Sequence, residues 1–460
     1  MDTIRENKMG TMPITKLLFT MSGPAILSML FNALYNIIDS MFVAQIGQKA
    51  LAAVSIAFPI QMLIVAVAVG TAVGLNSLIS RRLGARRYED ANRAATTGLF
   101  LGIINWIPFL IFGLFFAKMF MGLFSDDTYI INEGSKYLSI VTGMSLFVMV
   151  EINIEKISQS TGNMIFPMIS LMVGALFNII LDPILIFGLF GMPELGVSGA
   201  AIATVIAQFL GTIVGFLLLT KKVKAIKIQP NRNVLNWVTV REIYAVGLPA
   251  IIMQAVFSVM LLGINSILAT FSVAAVAVMG VYGKLQSFAF MPCFGINQGA
   301  LPVMGFNYGA ENKKRLMDTF KTAIIMALTI MVICTAIFQL IPEKLLYLFN
   351  AESEMLSIGI RALKIISIGF IPAAIGIIAA GLFQATGHGI ISMWGSLIRQ
   401  LVAVLPLAYL FGKIGGVYMV WFAFPIAEII GMTYNIVMII VFYKKRLKHL
   451  GEEQKNDNYN

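Results

Sequence analysis

Apolar runs of about 20 residues recur along the whole chain, and each is long enough to cross the roughly 30 Å hydrocarbon core of a bilayer as a helix. In hydrocarbon every backbone N–H and C=O must find a partner within the protein, which leaves helices and closed barrels as spanning structures. With 58% hydrophobic and 12% charged residues, the 460-residue chain does not have the composition of a soluble domain. About twelve such runs predict an all-α membrane protein with twelve transmembrane helices.

Several kinds of chemistry have no support in the sequence. Cys293 and Cys334 are the only cysteines, and they form neither a CxxC pair nor a metal-spaced cluster. The chain has only two histidines and no GxxxxGK[ST] motif for nucleotide phosphates. We therefore expect no cofactor, and we expect an ion gradient rather than a nucleotide to supply any energy. The polar N-terminus followed by a long apolar run predicts that no signal peptide is removed.

The net charge of +11 is distributed as expected for membrane topology rather than for nucleic acid binding. Of the 33 Lys and Arg, 23 fall in segments on one side of a twelve-helix arrangement, and the acidic pair Asp126-Asp127 falls on the other. The positive-inside rule then places both termini in the cytoplasm. The basic segments are residues 1–16, 81–93, 221–241, 313–321 and 444–460.

The second half of the chain repeats the first at a shift close to 225 residues. Gly23-Pro24-Ala25 corresponds to Leu248-Pro249-Ala250, and Gly70 and Gly74 correspond to Gly295 and Gly299. Because each half has an even number of helices, the two copies keep the same orientation in the membrane. We predict two pseudo-symmetric six-helix lobes, with hinges at Pro24 and Pro249. The N-terminal lobe covers residues 1–220, a basic cytoplasmic linker 221–240, the C-terminal lobe 241–443 and a basic cytoplasmic tail 444–460.

The stretch Asn178-Ile-Ile-Leu-Asp182-Pro183 places an amide, a carboxylate and a proline inside an apolar run. A charged side chain at the centre of a membrane helix costs roughly 2.5 to 3.5 kcal/mol on insertion scales, so Asp182 is expected to have a function. Asn178 and Asp182 are four residues apart and share a helix face, while Pro183 has no N–H for the carbonyl of Ile179. We predict a hinge at Pro183 beside a coupling-ion site. An Asp182 that only holds two helices together is the alternative.

Helix 1 carries a second polar stripe, in which Tyr35 lies one turn before Asp39 and Asn36 lies between them. The remaining charges within helices are candidates for substrate binding or gating, and ion pairing is the alternative for each of them. One such pairing would be a bridge between Lys284 and Glu428. With Tyr35 and Asn36, the candidates are Glu151 and Glu155 in helix 4, Lys284 in helix 8, Arg399 in helix 11 and Glu428 in helix 12.

Taken in order, several motifs resemble the multidrug and toxic compound extrusion (MATE) family over nearly the whole chain. Single pieces such as Gly-Ala-Ala are weak, but the ordered set in both halves is specific. The motifs are the Gly-Pro and Leu-Pro openings of the halves, Asn178-Ile-Ile-Leu-Asp182-Pro183, Gly199-Ala-Ala-Ile-Ala-Thr204 and Gln298-Gly-Ala-Leu-Pro302-Val-Met-Gly-Phe-Asn-Tyr-Gly309-Ala310.

The resemblance implies a V-shaped twelve-helix antiporter of a bacterial plasma membrane, which acts as a monomer and exports hydrophobic, mostly cationic drugs in exchange for protons or sodium. It looks most like the bacterial branch with an ion site in the N-terminal lobe. Matched residue by residue, it implies a coupling site of Asp39, Asn178, Asp182 and Thr204, with Tyr35 beside Asp39. Asp39, Asn178 and Asp182 would be the metal ligands if the ion is sodium. Two close carboxylates cannot both ionise cheaply, so the pair would otherwise hold a proton.

Two other functions are alternatives to drug antiport. A flippase or exporter of lipid-linked or polysaccharide substrates would also use two six-helix lobes, but a pyrophosphate lipid calls for several cations in the cleft. A membrane-embedded prenyl or phosphotransferase would need repeated Asp-rich metal motifs, and Asp126-Asp127 is a single pair. We therefore predict a transporter and no enzymatic activity.

Overall fold

The computed structural model describes residues 7–229, 235–349 and 353–450, and every regular element in these ranges is helical. Parts of the predicted linker (230–234) and tail (451–460) lie outside them. Ten described helices are long and apolar enough to span a membrane, and two broken pairs bring the number of spans to twelve, so the predicted all-α fold is confirmed. The spans are α1 (Ile14–Ile46), α2 (Gln48–Gly84), α3 (Tyr88–Phe115), α4a (Thr128–Gly143) with α4b (Leu146–Ser160), α5 (Ile165–Phe187), α6 (Gly196–Lys222), α7 (Trp237–Ala269), α8 (Val273–Gly309), α9 (Lys313–Leu340), α10a (Ser353–Ser367) with α10b (Phe370–Ala385), α11 (Gly389–Val420) and α12 (Ala423–Phe442).

Two spans that the sequence predicts as single helices are broken, by 41° between α4a and α4b and by 49° between α10a and α10b. Pro372 lies in the first turn of α10b, where its missing N–H is tolerated, and this favours a new helix start there. The break in α4 has no proline. Its freed backbone is paired instead, because the Trp106 indole Nε1 donates to the Gly143 carbonyl at 2.8 Å and the Ser145 hydroxyl donates to the Thr142 carbonyl at 2.8 Å.

The chain packs as two compact units. The N-terminal unit consists of Leu27–Leu83 and Arg87–Ile251, and the C-terminal unit consists of Met1–Ile26, Gly84–Arg86 and Ile252–Asn460. Each unit therefore contains a piece of the opposite half of the sequence. Two helices, α1 and α7, change unit partway along their length, and α2 contributes only its last residue, Gly84, to the C-terminal unit.

The points at which α1 and α7 change unit lie beside the repeated prolines. The change falls between Ile26 and Leu27 in α1 and between Ile251 and Ile252 in α7, in each case just after the Pro-Ala dipeptide. Both helices continue through Pro24 and Pro249, as α5 does through Pro183. The hinge roles of these three prolines stay predictions.

The repeated glycines allow helices within each unit to approach closely. A methyl group built on Gly70 of α2 would lie 2.9 Å from the Ile251 nitrogen of α7, inside the N-terminal unit. In the C-terminal unit, a methyl group on Gly299 of α8 would lie 2.9 Å from the Ser22 nitrogen of α1. The glycine pattern that repeats in the sequence is thus the pattern of closest helix contact.

Each unit also makes hydrogen bonds or ion pairs near the start of the helix that it takes from the other half of the sequence, which is α1 for the C-terminal unit and α7 for the N-terminal unit. In the C-terminal unit, the Arg315 guanidinium donates to the carbonyls of Met9 and Met12 at 3.0 and 2.7 Å. In the N-terminal unit, the Lys227 backbone N–H donates to the Asn92 side chain at 2.8 Å, and Arg82 pairs with Glu242 of α7 at 2.5 Å. The start of each crossing helix is therefore fixed to the unit that it joins.

Candidate functional site

The N-terminal unit brings together the two acids that the sequence singles out. Asp39 lies near the end of α1 and Asp182 near the end of α5, and the two carboxyl groups are close enough to interact electrostatically. The Asp182 side chain is completely buried. Two close carboxylates repel each other, and a proton on one of them removes that repulsion and supplies a donor to the other. The arrangement can therefore hold one proton, or exchange it for another small cation.

Asn178 and Thr204 lie in the same group. The Asn178 side-chain amide donates to Asp182 Oδ1 at 3.3 Å and to Thr204 Oγ1 of α6 at 3.4 Å. Both amide hydrogens are thus used, and the amide oxygen remains available. Three buried oxygens have no hydrogen-bond partner among the residues that the structure describes: Asp39 Oδ1, Asn178 Oδ1 and Asp182 Oδ2. Buried acceptors are normally paired, and oxygen atoms of this kind are the ligands that hard cations prefer.

Two tyrosines border the acid pair. Tyr35 of α1 lies within electrostatic range of Asp39, Asp182 and Glu151. Tyr137 of α4a lies within range of the same two aspartates, and its hydroxyl accepts a hydrogen bond of 2.7 Å from the Gln61 side chain. The sequence does not identify Tyr137 and Gln61 as site residues, because a single tyrosine or glutamine in an apolar run does not indicate which helix it faces. Asn36 bonds within its own helix, to Asn32 at 2.7 and 2.9 Å.

A second acidic group lies on α4b in the same unit. The Lys156 ammonium contacts Glu155 at 3.1 Å and Gln159 at 2.9 Å, and the Gln159 amide donates to Glu155 at 2.6 Å. Glu155 is therefore charge-compensated by the pairing that the sequence offered as its alternative. In the described part of the chain Glu151 has no ion-pair partner. Its carboxylate packs against Gly211 of α6, with Gly174 of α5 nearby.

Both glutamates line a small recess of about 10 Å³, which is close to the volume needed for one water molecule. Ser158, Ser170 and Phe166 also line it. The recess is a polar spot inside an apolar unit, and it is too small to hold a drug in this conformation.

In the C-terminal unit, Glu428 of α12 pairs with Arg399 of α11. Glu428 is thus paired with Arg399 rather than with Lys284, the partner that was one alternative from the sequence. Lys284 instead places its ammonium 5.7 Å from the centre of the Phe349 ring, a cation–π contact. The sequence could not choose between these partners, since Arg399 and Lys284 carry the same charge.

Comparison with known proteins identifies a protein family that the sequence matches and solved structures with a similar fold. The MatE family model matches residues 24–184 and 249–410, one segment in each half. The multidrug export protein MepA of Staphylococcus haemolyticus is 25% identical over 435 residues, which cover 94% of this chain and 95% of that protein. MepA of Staphylococcus aureus is 24% identical over 436 residues, with 94% of each chain covered.

Two solved structures share the fold. One is the outward-facing conformation of a multidrug resistance MATE family transporter of the MOP superfamily, with a TM-score of 0.89, 25% identity and coverage of 98% of this chain and 100% of that one. The other is a MOP superfamily transporter from Pyrococcus furiosus whose binding pocket is described as having reverse polarity. It has a TM-score of 0.89, 24% identity and coverage of 98% and 99% of the two chains.

Proposed function

Because the chain belongs to the MatE family, with one match in each half, we propose that it is a secondary active antiporter that exports hydrophobic, mostly cationic compounds in exchange for protons or sodium. Its similarity to multidrug export proteins over 94% of its length supports multidrug efflux as the activity. The coupling ion and the charge of the substrate are the parts that we add from the site.

The observation that supports ion coupling is the group of three buried oxygens on Asp39, Asn178 and Asp182 that have no hydrogen-bond partner among the described residues. In the proton-bound form, one proton is shared between the two carboxyl groups. Loss of that proton leaves two negative charges that repel each other, and sodium held by Asp39, Asn178 and Asp182 relieves the repulsion. Thr204 positions Asn178 for this role through its 3.4 Å hydrogen bond.

Ion binding drives transport if the ion binds one conformation better than the other. An inward positive charge releases about 2.3 kcal/mol per 100 mV of membrane potential, which is enough to shift a two-state equilibrium about 50-fold. We propose that the N-terminal unit changes its packing with the ion, and that Pro24, Pro183 and Pro249 absorb the change as hinges. A drug that competes for the same unit then exchanges with the ion.

The charge of the substrate is inferred from the N-terminal unit. Its uncompensated carboxylates, Asp39, Asp182 and Glu151, attract a cation, and Tyr35 lies within range of all three. A hydrophobic cation satisfies both the acids and the apolar side chains around them. We place the protein in a bacterial plasma membrane, as its similarity to bacterial export proteins suggests, and we propose that it acts as a monomer. Its basic segments follow the positive-inside rule, which supports a cytoplasmic location for both termini.

Dye transport in inverted membrane vesicles tests the proposal. We expect uptake of a cationic dye to follow an imposed proton or sodium gradient in the unmodified protein. Asp39→Asn and Asp182→Asn should each abolish ion-driven transport while the protein remains folded. Asp126→Asn, which neutralises an exposed aspartate outside the site, is the matched control and should transport normally. Normal ion-driven transport by both site variants would exclude this pair as the coupling site.

A further inference from the structure

A cavity of about 420 Å³ opens at the end of the N-terminal unit where α3 ends and where α4a and α6 begin. In the proposed topology this end of the unit lies at the outer leaflet of the membrane. Its volume is in the range of sites that hold a small molecule. Two lysines and three serines stand in its wall beside apolar side chains, so the cavity is suited to a ligand that is both polar and apolar.

The cavity brings cations together on the side of the membrane where cations are scarce. Only five of the 33 Lys and Arg lie on the outer side in the predicted topology, and two of these five, Lys118 and Lys136, line the cavity. The Lys136 ammonium pairs with Glu133 of the same helix at 2.8 Å, whereas Lys118 has no ion-pair partner among the described residues. Two cations and one carboxylate leave a net charge of +1 at the cavity.

The hydroxyl groups of the cavity differ in what they offer to a ligand. Ser135 and Ser139 donate to backbone carbonyls, to that of Asn132 at 2.9 Å and to that of Gly113 at 2.7 Å. The Ser198 hydroxyl, in the first turn of α6, has no hydrogen-bond partner in the part of the chain that the structure describes. The cavity therefore offers two ammonium groups and one hydroxyl as donors, and a phosphate is an anion that such donors bind.

The rim of the cavity is apolar and exposed. Leu114 and Phe115, at the end of α3, line the cavity and are 65% and 73% exposed. Met119, Leu123 and Phe124, which follow in the chain, are also exposed. Exposed apolar patches of this kind mark contacts with a membrane or another protein, and at the end of a membrane span the contact is with lipid. A phosphate in the cavity therefore lies next to acyl chains, which is the arrangement within a phospholipid.

The repeat shows which residue of the C-terminal unit corresponds to Ser198. Gly196, at the start of α6, has a φ of 54°, and Gly416 has a φ of 68°. These two glycines align at a shift of 220 residues, and the same shift aligns Ser198 with Tyr418. A small hydroxyl in the first half therefore takes the place of a tyrosine ring in the second.

The C-terminal unit uses that ring to cover its own cation. At the shift of 225 residues Lys136 corresponds to Arg361, whose guanidinium lies 4.5 Å from the centre of the Tyr418 ring. Lys118 corresponds to Glu343, a carboxylate. The second half thus covers one cation with an aromatic ring and replaces the other by an acid. The features that suit an anion belong to the first half alone.

We propose that the outer cavity of the N-terminal unit binds the phosphate of an anionic phospholipid through Lys118, Lys136 and Ser198, with the acyl chains on Leu114 and Phe115. Phosphatidylglycerol carries a single negative charge, which matches the net charge of the cavity. Phosphatidylcholine has the same phosphate but adds a cation that the lysines repel. The bound lipid bridges α3, α4a and α6. The site is distinct from the proposed coupling site and requires no transport.

Photoreactive phosphatidylglycerol tests the proposal, with photoreactive phosphatidylcholine as the comparison lipid. The full-length protein is labelled in detergent at subsaturating lipid, and the labelled peptides are mapped. We expect phosphatidylglycerol to label residues 113–140 more than phosphatidylcholine does. Lys118→Gln should lower this labelling about tenfold, the effect of losing a hydrogen bond between charged groups, and Lys118→Arg should retain most of it. Labelling of the basic segment 313–321 should stay the same in both variants.

Ser198→Tyr, which introduces the residue that the second half has at this position, should fill the cavity and abolish labelling of residues 113–140. Lys344→Gln, which removes an exposed outer lysine of the C-terminal unit, is the control and should label as the unmodified protein does. Equal labelling of residues 113–140 by the two lipids, or labelling by phosphatidylglycerol at the basic segments only, would overturn the proposal. Unchanged labelling in Lys118→Gln would also overturn it, and this exposed substitution is informative even if Ser198→Tyr does not fold.

Discussion

A buried hydroxyl beside two acids must be paired, and in this protein the partner of Tyr137 is Gln61 at 2.7 Å. Tyr137 lies in α4a, and its side chain is buried, with only 4% of its surface exposed. The contact links α2 to α4a at the edge of the proposed coupling site. Its removal therefore tests how far the packing around Asp39 depends on polar contacts.

Tyr137→Phe should lower the free energy of unfolding by about 1 kcal/mol, because it removes a buried hydrogen bond and leaves the Gln61 amide without that partner. The melting temperature of purified protein in detergent measures the effect. Tyr129→Phe, at an exposed position in the same helix, is the control and should melt as the unmodified protein does. An unchanged melting temperature for Tyr137→Phe would show that water replaces the lost contact.

Asp127 gives a second prediction, on pH. It accepts hydrogen bonds from the backbone N–H groups of Tyr129 and Ile130 at the start of α4a, and it pairs with Lys49 at 2.6 Å. The Lys49 ammonium, together with these N–H groups, holds the pKa of Asp127 below its usual value. Because its pKa is lower in the folded state, ionised Asp127 stabilises the fold, and this stabilisation is complete above the unfolded-state pKa of about 4. The stabilisation is lost as the pH falls through the folded-state pKa.

Asp127→Asn should therefore melt at a lower temperature than the unmodified protein at neutral pH, and the difference should begin to shrink below about pH 4 and disappear below the folded-state pKa of Asp127. Melting temperatures measured across this range provide the test. Asp126→Asn, one residue away and exposed, should show no difference at any pH. A constant difference between Asp127→Asn and the unmodified protein at all pH values would contradict the electrostatic explanation.

Helix α8 contains both a glycine at a close helix contact and a glycine with open space beside it. Gly299→Ala should lower the melting temperature, because its methyl group would collide with the Ser22 backbone of α1. Gly280→Ala is a matched control in the same helix, since nothing lies within 4 Å of the added methyl group. That change should be neutral or stabilising by up to about 1 kcal/mol from helix propensity alone. The two variants would melt alike if the close approach were not needed.

The spans, their repeat and the acid pair follow from the sequence because each leaves a local signal. Hydrophobic length marks a span, a fixed shift marks the repeat, and Asp39 and Asp182 stand out as costly charges. The break in α4 leaves no such signal, since the Trp106 indole that pairs its freed carbonyl lies on another helix. Partners such as Gln61 and Tyr137, or Arg399 and Glu428, likewise depend on how helices face each other. Helical periodicity predicts which face of a helix a residue lies on, but it does not predict which residue of another helix it contacts.

For the whole molecule, the exchange of helix segments between the two halves has the largest consequence. The N-terminal unit includes residues up to Ile251, from the second half of the sequence, and the C-terminal unit includes Met1–Ile26, from the first. Arg315 binds Met9 and Met12, while Arg82 binds Glu242. Neither half of the sequence therefore contains a complete packing unit, although each half carries a complete copy of the repeat.

This exchange of helix segments predicts how the protein behaves when its chain is divided into two fragments. Fragments 1–231 and 232–460 should each be unstable when expressed alone, because each unit lacks a helix segment that covers its glycine-rich contact. Expressed together, they should restore dye export, since all contacts can form without the covalent link. A second fragment that begins at Ile252 lacks the part of α7 that packs on Gly70 and Gly74, so it should fail to restore export with 1–231. Should either fragment alone give a cooperatively melting protein, the helix exchange would not be required for folding.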